Sequence, residues 1–482
     1  MVGKRTVGWV VLLLAGAALA GGKRMTPEER IALVLAETKP LKFPRGERLP
    51  LYVWAAMDLP GDDAAIEQQL KALDERGIAA CASWRPGKGQ EESLERALRM
   101  GAIQKRLGLR VNVNANACTY SICDGSEATA HIDADGKPFF DKSSGGKLGC
   151  PFKLASRYPE MREKVDFFCR GYAAKGLAPD FVFADWEIDG PIEWQGGWDA
   201  AKRCVTCRRQ IPKLDDFLEL QKAYRKVRSE VQRECYAGVV LKHFPKALVG
   251  NYAVYPHNGW RYWYDYFEKE PPQGAPVKMD FRCPVRPWAD EWKACGFTFA
   301  MPVVYTWYRT WGWYGWPQGD YRWFYNLLLV ASNAGRATAA SVPAITFVHH
   351  TTTSPPKEPD PAVKQFSESA YKELLWHMLL RGHDTFFLWC PEDEIAQEVR
   401  PLHEAWAAAL EYREFLEKGT PVAFDVPREP GPVVSALRWG SRLLVRRTDF
   451  TDTKEPAVLT VGEKSVRVPR AEGRCQVIEL GE

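Results

Sequence analysis

Two carboxylates stand two residues apart in the segment Asp185-Trp186-Glu187, at the end of an apolar run that begins at Phe181. Alternate residues of a strand share one face, so both acids point the same way while the strand persists, with backbones about 7 Å apart. One acid can protonate a leaving group while its neighbour stays ionised and raises the pKa of the first by like-charge repulsion. The pattern favours a general acid beside an orienting anion. The alternative is a solvated turn in which Asp185 caps the following loop and Glu187 is merely exposed.

Aromatic residues are the most unusual feature of the composition, with 19 Trp, 18 Tyr and 22 Phe in 482 residues. Several follow apolar runs, and others crowd a segment that is broken by Gly312, Gly315 and Pro317. Flat rings bind the C–H faces of sugars, and packing in a core is the competing explanation for such rings. The two explanations are evenly balanced for six rings of the broken segment, which are Trp307, Tyr308, Trp311, Trp313, Tyr314 and Trp316.

Short β-rich runs alternate with helical patterns eight times, which is typical of parallel βα units. The runs cover 51–56, 78–83, 109–114, 181–187, 247–255, 297–305, 341–348 and 385–389. We therefore predict an α/β fold, a (β/α)8 barrel of the TIM type, over residues 45–418. A doubly wound open sheet is the alternative, but no Gly-x-Gly-x-x-Gly turn follows the first run.

The reactive groups of such barrels lie at the carboxyl ends of the strands. The residues predicted there as substrate contacts are Trp54, Asn114, Asp189, Tyr255, Tyr305, Trp307, His350 and Trp389. Asp58 and Asn116 stand at strand ends as well. His349 and His350 point to opposite faces of their strand, so one of them can reach a pocket, although a structural histidine is the competing interpretation. Residues 115–159 form a long irregular segment after the third run, and loops of that length are usually functional.

The last part of the chain, residues 419–482, has only short alternating runs and no helical period. This pattern predicts a small C-terminal β domain with a sandwich-like arrangement. Such a domain can bind carbohydrate or simply cover the surface of the barrel. The pattern favours the second role.

The first twenty residues predict an export signal, with Lys4 and Arg5 before an apolar run and Ala18-Leu19-Ala20 as a cleavage site. We expect a secreted or periplasmic protein with no stable membrane span after cleavage. Basic and acidic residues number 65 and 61, for a net charge of +4. This balance gives no broad positive field, so nucleic acid is not an expected partner.

Twelve cysteines in an exported chain permit up to six disulfides. The close pairs Cys118 with Cys123 and Cys204 with Cys207 suggest loop bridges. Cys204-Val205-Thr206-Cys207 is also half of a zinc site, but the sequence has no second cysteine pair of that kind. A loop disulfide or free thiols are therefore favoured over metal, and no metal or other cofactor is predicted.

Three segments resemble the fourth, fifth and eighth strand ends of the hyaluronidase family of glycoside hydrolases. They are Phe183-Ala184-Asp185-Trp186-Glu187, Gly250-Asn251-Tyr252-Ala253-Val254-Tyr255-Pro256 and Phe387-Leu388-Trp389. Tyr52-Val53-Trp54 in the first run is similar too. The resemblance covers short motifs of the barrel, and it extends neither to residues 115–159 nor to the C-terminal β domain.

The resemblance implies substrate-assisted retention, in which the 2-acetamido oxygen of the sugar attacks its own anomeric carbon. Glu187 would then be the acid and later the base, and Asp185 would hold the acetamido N–H. Tyr255 would bond the same acetamido group, and Trp389 would form the floor of the sugar pocket. The predicted partner is an oligo- or polysaccharide that contains an N-acetylhexosamine.

Two other hypotheses stay open. A conventional glycosidase would use Asp58 or Glu392 as a nucleophile on a sugar without an acetamido group, with about 5 to 5.5 Å between the two carboxyl groups. A non-catalytic glycan-binding protein would keep the barrel and its aromatic loops but not the reaction.

Overall fold

The computed structural model describes residues 24–119, 126–141, 148–186, 195–256, 260–262, 265–266, 286–287, 291–471 and 473–481. The predicted export signal, Cys123, Glu187 and Asp189 lie outside the described residues. Within the described part, no helix is both long and apolar enough to span a membrane.

Eight parallel strands form one sheet, as the alternation predicts, and the expected (β/α)8 barrel is confirmed. In chain order the strands are β1 Leu51–Met57, β2 Ile78–Ser83, β3 Asn112–Asn114, β4 Phe181–Ala184, β5 Leu248–Asn251, β6 Val303–Trp307, β7 Ile345–Thr353 and β8 Thr385–Leu388. Neighbours in the sheet run in the order β6-β7-β8-β1-β2-β3-β4-β5. Backbone hydrogen bonds of the segment just before β6 link the two end strands, β5 and β6. Thr298 N donates to Val249 O at 2.9 Å, and Met301 N donates to Val254 O at 3.0 Å.

Helices follow the strands and cover the outside of the sheet. The α-helices are Pro27–Glu37, Asp63–Asp74, Gln90–Arg106, Asn116–Thr119, Tyr158–Ala174, Gln195–Arg203, Val205–Gln210, Phe217–Gln232, Gly238–His243, Glu291–Cys295, Gly319–Ala337, Glu368–Leu379, Ile395–Ala409 and Arg413–Lys418. Short 3-10 turns occupy Glu127–Thr129, Pro151–Arg157, Tyr308–Gly312, Glu392–Glu394 and Leu410–Tyr412, and a π turn occupies Arg233–Ala237. Side-chain caps fix several helix starts, because a free helical N–H needs an acceptor. Asp62, for example, accepts a 2.9 Å bond from Ala65 N.

The barrel interior is filled with aromatic rings rather than with the usual branched aliphatic side chains. Phe181 stacks on Tyr52 with ring centroids 4.3 Å apart, and Phe183 lies 4.6 Å from Phe387. Val182, which lies between Phe181 and Phe183 in β4, packs instead in the larger core beneath the helices. The strict alternation determines which side of each strand the following residues face.

Packing explains four of the six rings in the broken segment, Trp311, Trp313, Tyr314 and Trp316, whereas Trp307 and Tyr308 are half-buried. Trp313, Tyr314 and Trp316 are at most 3% exposed. Their neighbours belong to the next helix, for Tyr314 contacts Tyr325 at 5.5 Å. A broken segment can bury these rings because the helix Gly319–Ala337 folds back over it.

The C-terminal strands form two small antiparallel sheets. The first contains Thr420–Pro421, Pro432–Trp439, Arg442–Asp449 and Cys475–Glu479, and the second contains Ala457–Val461 and Lys464–Val468. Apolar side chains of both sheets meet in one cluster that includes Leu443 and Leu459. Shorter strands elsewhere are His131–Ile132 with Pro138–Phe139, and Trp260–Tyr262 with Asp265–Tyr266 and Arg286–Pro287.

The ten cysteines within the described residues form no disulfide. Cys204 and Cys207 are both buried free thiols, so the bridge suggested by their spacing is not made. Cys118 is a buried free thiol as well, and its suggested partner Cys123 lies outside the described residues.

Candidate active site

Asp185 follows β4 at the carboxyl end of the barrel. Phe181 and Phe183 line the interior, whereas Val182 and Trp186 belong to the outer core. Asp185 therefore continues the inward-facing series. The N–H of Asp185 donates to the Asn116 side-chain oxygen at 3.2 Å.

The next peptide is held on the opposite side by Asn251, the last residue of β5. Asn251 Oδ1 accepts from Trp186 N at 2.8 Å, and Asn251 Nδ2 donates to Trp186 O at 3.2 Å. A further bond from Nδ2 to Gln232 Oε1 at 2.9 Å fixes the amide against the neighbouring helix. Two asparagine side chains thus bond the chain just after β4, and they fix the backbone of Asp185 and Trp186.

Burial raises the pKa of Asp185 to about 7, since the surrounding residues exclude the water that would stabilise the ionised form. The carboxyl can therefore hold or release a proton near neutral pH. A carboxyl with this property at the carboxyl end of a barrel strand is a candidate functional group.

Aromatic rings form a wall beside this end of the barrel. Tyr305 from β6 stacks on Trp389, just after β8, with centroids 6.0 Å apart and planes 23° apart. His349 from β7 lies between these strands, 5.8 Å from Tyr305 and 5.6 Å from Trp389. Tyr252, just after β5, extends the wall at 6.2 Å from Tyr305.

His349 is the polar member of the wall. Its Nε2 lies 2.7 Å from Glu394 Oε2 and 3.6 Å from Glu398 Oε1. One imidazole and two carboxylates can ligate a divalent cation. However, Glu398 already accepts bonds from His350 N and from the N–H and hydroxyl of Thr351. The donors around Glu398 satisfy it, so the group fits a hydrogen-bonded structural network.

His350 faces away from this wall. Its Nε2 bonds Phe366 O at 2.8 Å, and its ring stacks on Tyr371 at 4.6 Å. The two histidines thus lie on opposite faces of the strand: His349 faces the barrel interior, whereas the named candidate, His350, packs against Tyr371 of a helix. Strand parity separates the two.

Tyr255 is likewise displaced from its predicted place. β5 ends at Asn251, and Ala253 has a φ of +61°, which turns the chain. Tyr255 is 2% exposed and packs in a cluster with Ala300 and Ala334, the latter on an outer helix. Tyr252 occupies the inward position instead.

Three further candidates, Trp54, Asn114 and Trp307, lie within the strands that contain them. Trp54 is half-buried in the interior, 6.0 Å from Phe183. Asn114 is buried and accepts a 2.9 Å bond from Asn116 N, so it orders the residue that holds Asp185. Trp307 ends β6 and carries the Arg309 guanidinium 5.4 Å above its ring.

The two candidates for a conventional nucleophile are engaged elsewhere. Asp58 accepts from Ser83 N at 2.7 Å and pairs with Arg85 at 2.7 Å. Glu392 pairs with Arg30 at 2.9 Å and accepts from Met25 N at 2.9 Å, so it fastens the N-terminal helix.

Sequence reasoning named Asn116 only as a strand-end residue and assigned no role to Asn251, Tyr252 or Glu394. Asn251 and Tyr252 stood within the segment that resembles the family, and the alternation of the strand could have selected Tyr252. Glu394 gave no signal, because its contact with His349 joins residues 45 positions apart.

No family model and no curated protein matches this chain. Among solved structures it is similar to alpha-L-fucosidase isoenzyme 2 from Paenibacillus thiaminolyticus, with 10% identity, a TM-score of 0.44, and coverage of 78% of this chain and 51% of that one. A beta-galactosidase from the haloarchaeon Halorubrum lacusprofundi has 13% identity and a TM-score of 0.47, with coverage of 77% of this chain and 59% of that one. Bee venom hyaluronidase has 14% identity and a TM-score of 0.32, with coverage of 66% of this chain and 93% of that one. This chain thus spans only about half to three fifths of the first two proteins, and at these TM-scores the similarities say nothing about its activity.

Proposed function

We propose that this chain is an exported retaining glycoside hydrolase, which acts on a glycan that contains an N-acetylhexosamine. Glu187 protonates the leaving oxygen as the acetamido oxygen of the same sugar attacks the anomeric carbon. Asp185 bonds the acetamido N–H and stabilises the positive charge of the cyclic intermediate. Glu187 then removes a proton from water, and that water opens the intermediate with net retention.

The observation that carries this proposal is the environment of Asp185. Its inward-facing carboxyl has a pKa of about 7 because of burial. An acetamido N–H would donate a hydrogen bond to the ionised carboxylate, and the developing positive charge would favour ionisation further. Asp185 is thus suited to respond to charge that forms beside it during the reaction.

The aromatic wall supports a sugar as the substrate. Tyr305 and Trp389 are half-buried, so they have ring surface to offer to the C–H face of a pyranose. His349, oriented by Glu394 at 2.7 Å, adds a hydrogen-bonding group beside these rings. Flat rings beside a few fixed polar groups are characteristic of ligand sites.

The conventional alternative is less favoured. Arg85 and Ser83 N hold Asp58, and Arg30 and Met25 N hold Glu392, so either carboxylate would lose an ion pair on becoming a nucleophile. A non-catalytic glycan-binding role predicts binding without turnover and is decided by the same assay.

The test uses the 4-methylumbelliferyl glycosides of N-acetylglucosamine and N-acetylgalactosamine, together with amino-sugar polymers. We expect turnover of an acetamido substrate, loss of at least about 100-fold in kcat for Glu187→Gln and for Asp185→Asn, and competition by a thiazoline analogue of the cyclic intermediate. Asp58→Asn and Glu392→Gln are the matched controls and should keep the activity of their folded fraction.

Unchanged activity in Glu187→Gln would end the proposal. Equal turnover of the matching glucosides, with no thiazoline inhibition, would replace the acetamido mechanism by the conventional one. Glycan-array binding by a protein that hydrolyses none of these substrates would favour the binding role.

A further inference from the structure

Four side chains with metal-binding atoms meet in the loops that follow β3 and β4. His131, Cys150, Cys204 and Cys207 have ligand atoms that all lie within 4.8 Å of one another. All four are at most 2% exposed. The sequence offered only the Cys204 and Cys207 pair as half of a zinc site, and the fold brings the other half from 54 to 76 residues away along the chain.

The spacing of the atoms fits a metal tetrahedron and not a disulfide. Cys150 Sγ is 3.6 Å from Cys207 Sγ, whereas a disulfide requires about 2.05 Å. With Zn–S bonds of about 2.3 Å, the edge of a tetrahedron is about 3.8 Å. Cys207 Sγ also lies 3.9 Å from His131 Nδ1, close to the corresponding sulfur–nitrogen edge of about 3.6 Å.

The chemistry of the four donors points to zinc. Three cysteines can form only one disulfide, which would leave a buried thiol beside His131. Three thiolates and one imidazole are a usual set for a closed structural zinc site, while an iron–sulfur cluster generally uses four thiolates. Buried donors that fill all four positions leave no place for a substrate, so the site is structural.

Local structure already holds each donor in place. Cys150 N donates to Thr129 O at 2.7 Å, and a side chain at the preceding Gly149 would approach Thr129 O to 2.5 Å, so only glycine fits. Cys204 caps the helix Val205–Gln210, and Arg208 N bonds its carbonyl at 3.0 Å. The His131 ring stacks on Phe139 at 5.1 Å.

The surrounding groups support the same interpretation. Tyr224 places its hydroxyl 3.7 Å from Cys207 Sγ, a distance that suits a hydrogen bond to a metal-bound thiolate. The three cysteines belong to a small apolar cluster, separate from the main core, that the helices after β4 form with Cys150 of the preceding loop. A metal in this position would fasten the long loop after β3 to those helices.

We propose that His131, Cys150, Cys204 and Cys207 bind one structural Zn²⁺, which ties the loop after β3 to the helices after β4. Coordination of Zn²⁺ by donors from both loops contributes folding free energy that the small apolar cluster lacks. Both loops leave the carboxyl end of the barrel, the end at which Asp185 lies. The site is independent of the proposed reaction and involves none of the residues assigned to it.

The test measures zinc in the purified full chain by plasma mass spectrometry. We expect about one Zn²⁺ per chain, and its loss in Cys150→Ser, Cys204→Ser, Cys207→Ser and His131→Ala. The matched controls Cys169→Ser and Cys390→Ser alter buried cysteines outside the site and should keep the metal. Less than about 0.1 Zn²⁺ per wild-type chain, or equal content in the site variants and the controls, would overturn the proposal.

A second measurement covers variants that fold poorly. Wild-type chain stripped by a chelator and given Co²⁺ should show the visible bands of tetrahedral cobalt and a near-ultraviolet thiolate-to-cobalt band. Added Zn²⁺ should abolish both. Absence of these bands, or a disulfide among Cys150, Cys204 and Cys207 in the unreduced peptide map, would contradict the site.

Discussion

The side-chain amide of Asn251 makes two hydrogen bonds to the backbone of Trp186. Asn251 Oδ1 accepts from Trp186 N–H at 2.8 Å, and Asn251 Nδ2 donates to Trp186 O at 3.2 Å. Trp186 separates the two acids in the sequence, so this amide fixes the backbone between them. Asn251 itself is fully buried and braced by Gln232. A residue of the neighbouring strand therefore fixes the backbone directly after Asp185 without being one of the candidate acids.

Asn251→Ala should lower kcat by about 10- to 100-fold, because the loss of both bonds allows the acid pair to shift, and a shift of about 1 Å has that effect. It should also cost about 1 to 3 kcal/mol of stability, since Trp186 N–H stays buried without an acceptor. Asn112→Ala is the control. Asn112 is equally buried but bonds Ala80 O and Arg110 O at the start of β3. Activity and denaturant unfolding of both variants are the measurements, and an equal loss of activity per folded molecule would contradict the positioning role.

Asp185→Asn should stabilise the protein above pH 7. The pKa of Asp185 is about 7 in the folded chain and about 3.9 in the unfolded chain. At a pH between these two pKa values the folded chain binds more protons than the unfolded chain. The free energy of unfolding therefore falls as the pH rises through that range. The variant lacks this loss and should be more stable by about 2 to 4 kcal/mol at pH 8, with the difference vanishing near pH 4.

Urea unfolding at four pH values between 4 and 8 measures this difference. Asp135→Asn alters an exposed carboxylate and should show no such dependence. A difference between Asp185→Asn and wild type that is the same at pH 4 and pH 8 would show that burial does not perturb this carboxyl.

The adjacent histidines should behave differently. His349→Ala removes the polar member of the aromatic wall and should reduce kcat/KM by at least about 10-fold. His350→Ala loses its bond to Phe366 O and its stacking on Tyr371, and should cost about 1 to 2 kcal/mol of stability with activity retained by the folded fraction. Enzyme kinetics and thermal unfolding of the two variants are the measurements. Loss of activity in His350→Ala alone would exchange the roles assigned to the two histidines.

Arg381 joins the barrel helices to the C-terminal sheets. It is fully buried and donates to Ser435 Oγ at 2.7 Å, to Asp425 O at 3.0 Å and to Val434 O at 3.2 Å. Arg381→Ala removes all three of these buried hydrogen bonds and should cost about 3 kcal/mol or more.

Arg336→Ala is the matched control. Its 3.5 Å pair with Asp425 is exposed, so its loss should change stability by less than about 0.5 kcal/mol. Limited proteolysis should release the C-terminal β region faster in Arg381→Ala than in Arg336→Ala. Equal cleavage of the two variants would show that Arg381 does not hold that region.

The sequence alone determined the main architecture, because it rests on local patterns. Eight apolar runs with intervening helical periods predict parallel βα units wherever they occur, and the spacing of two residues places Asp185 on the same face as Phe183. A single strand also carries enough information to separate His349 from His350 onto opposite faces.

Only the tertiary structure decided which face lies inward. Both faces of a barrel strand are buried, so composition does not distinguish His349 from His350. The turn at Ala253 moved Tyr255 outward and left Tyr252 inside. The gathering of His131 and Cys150 around Cys204 and Cys207 depends on loops that meet only after the strands have paired. Contacts between residues far apart in the chain leave no periodic trace in the sequence, and for that reason the interior end of the barrel and the four-ligand cluster required the fold.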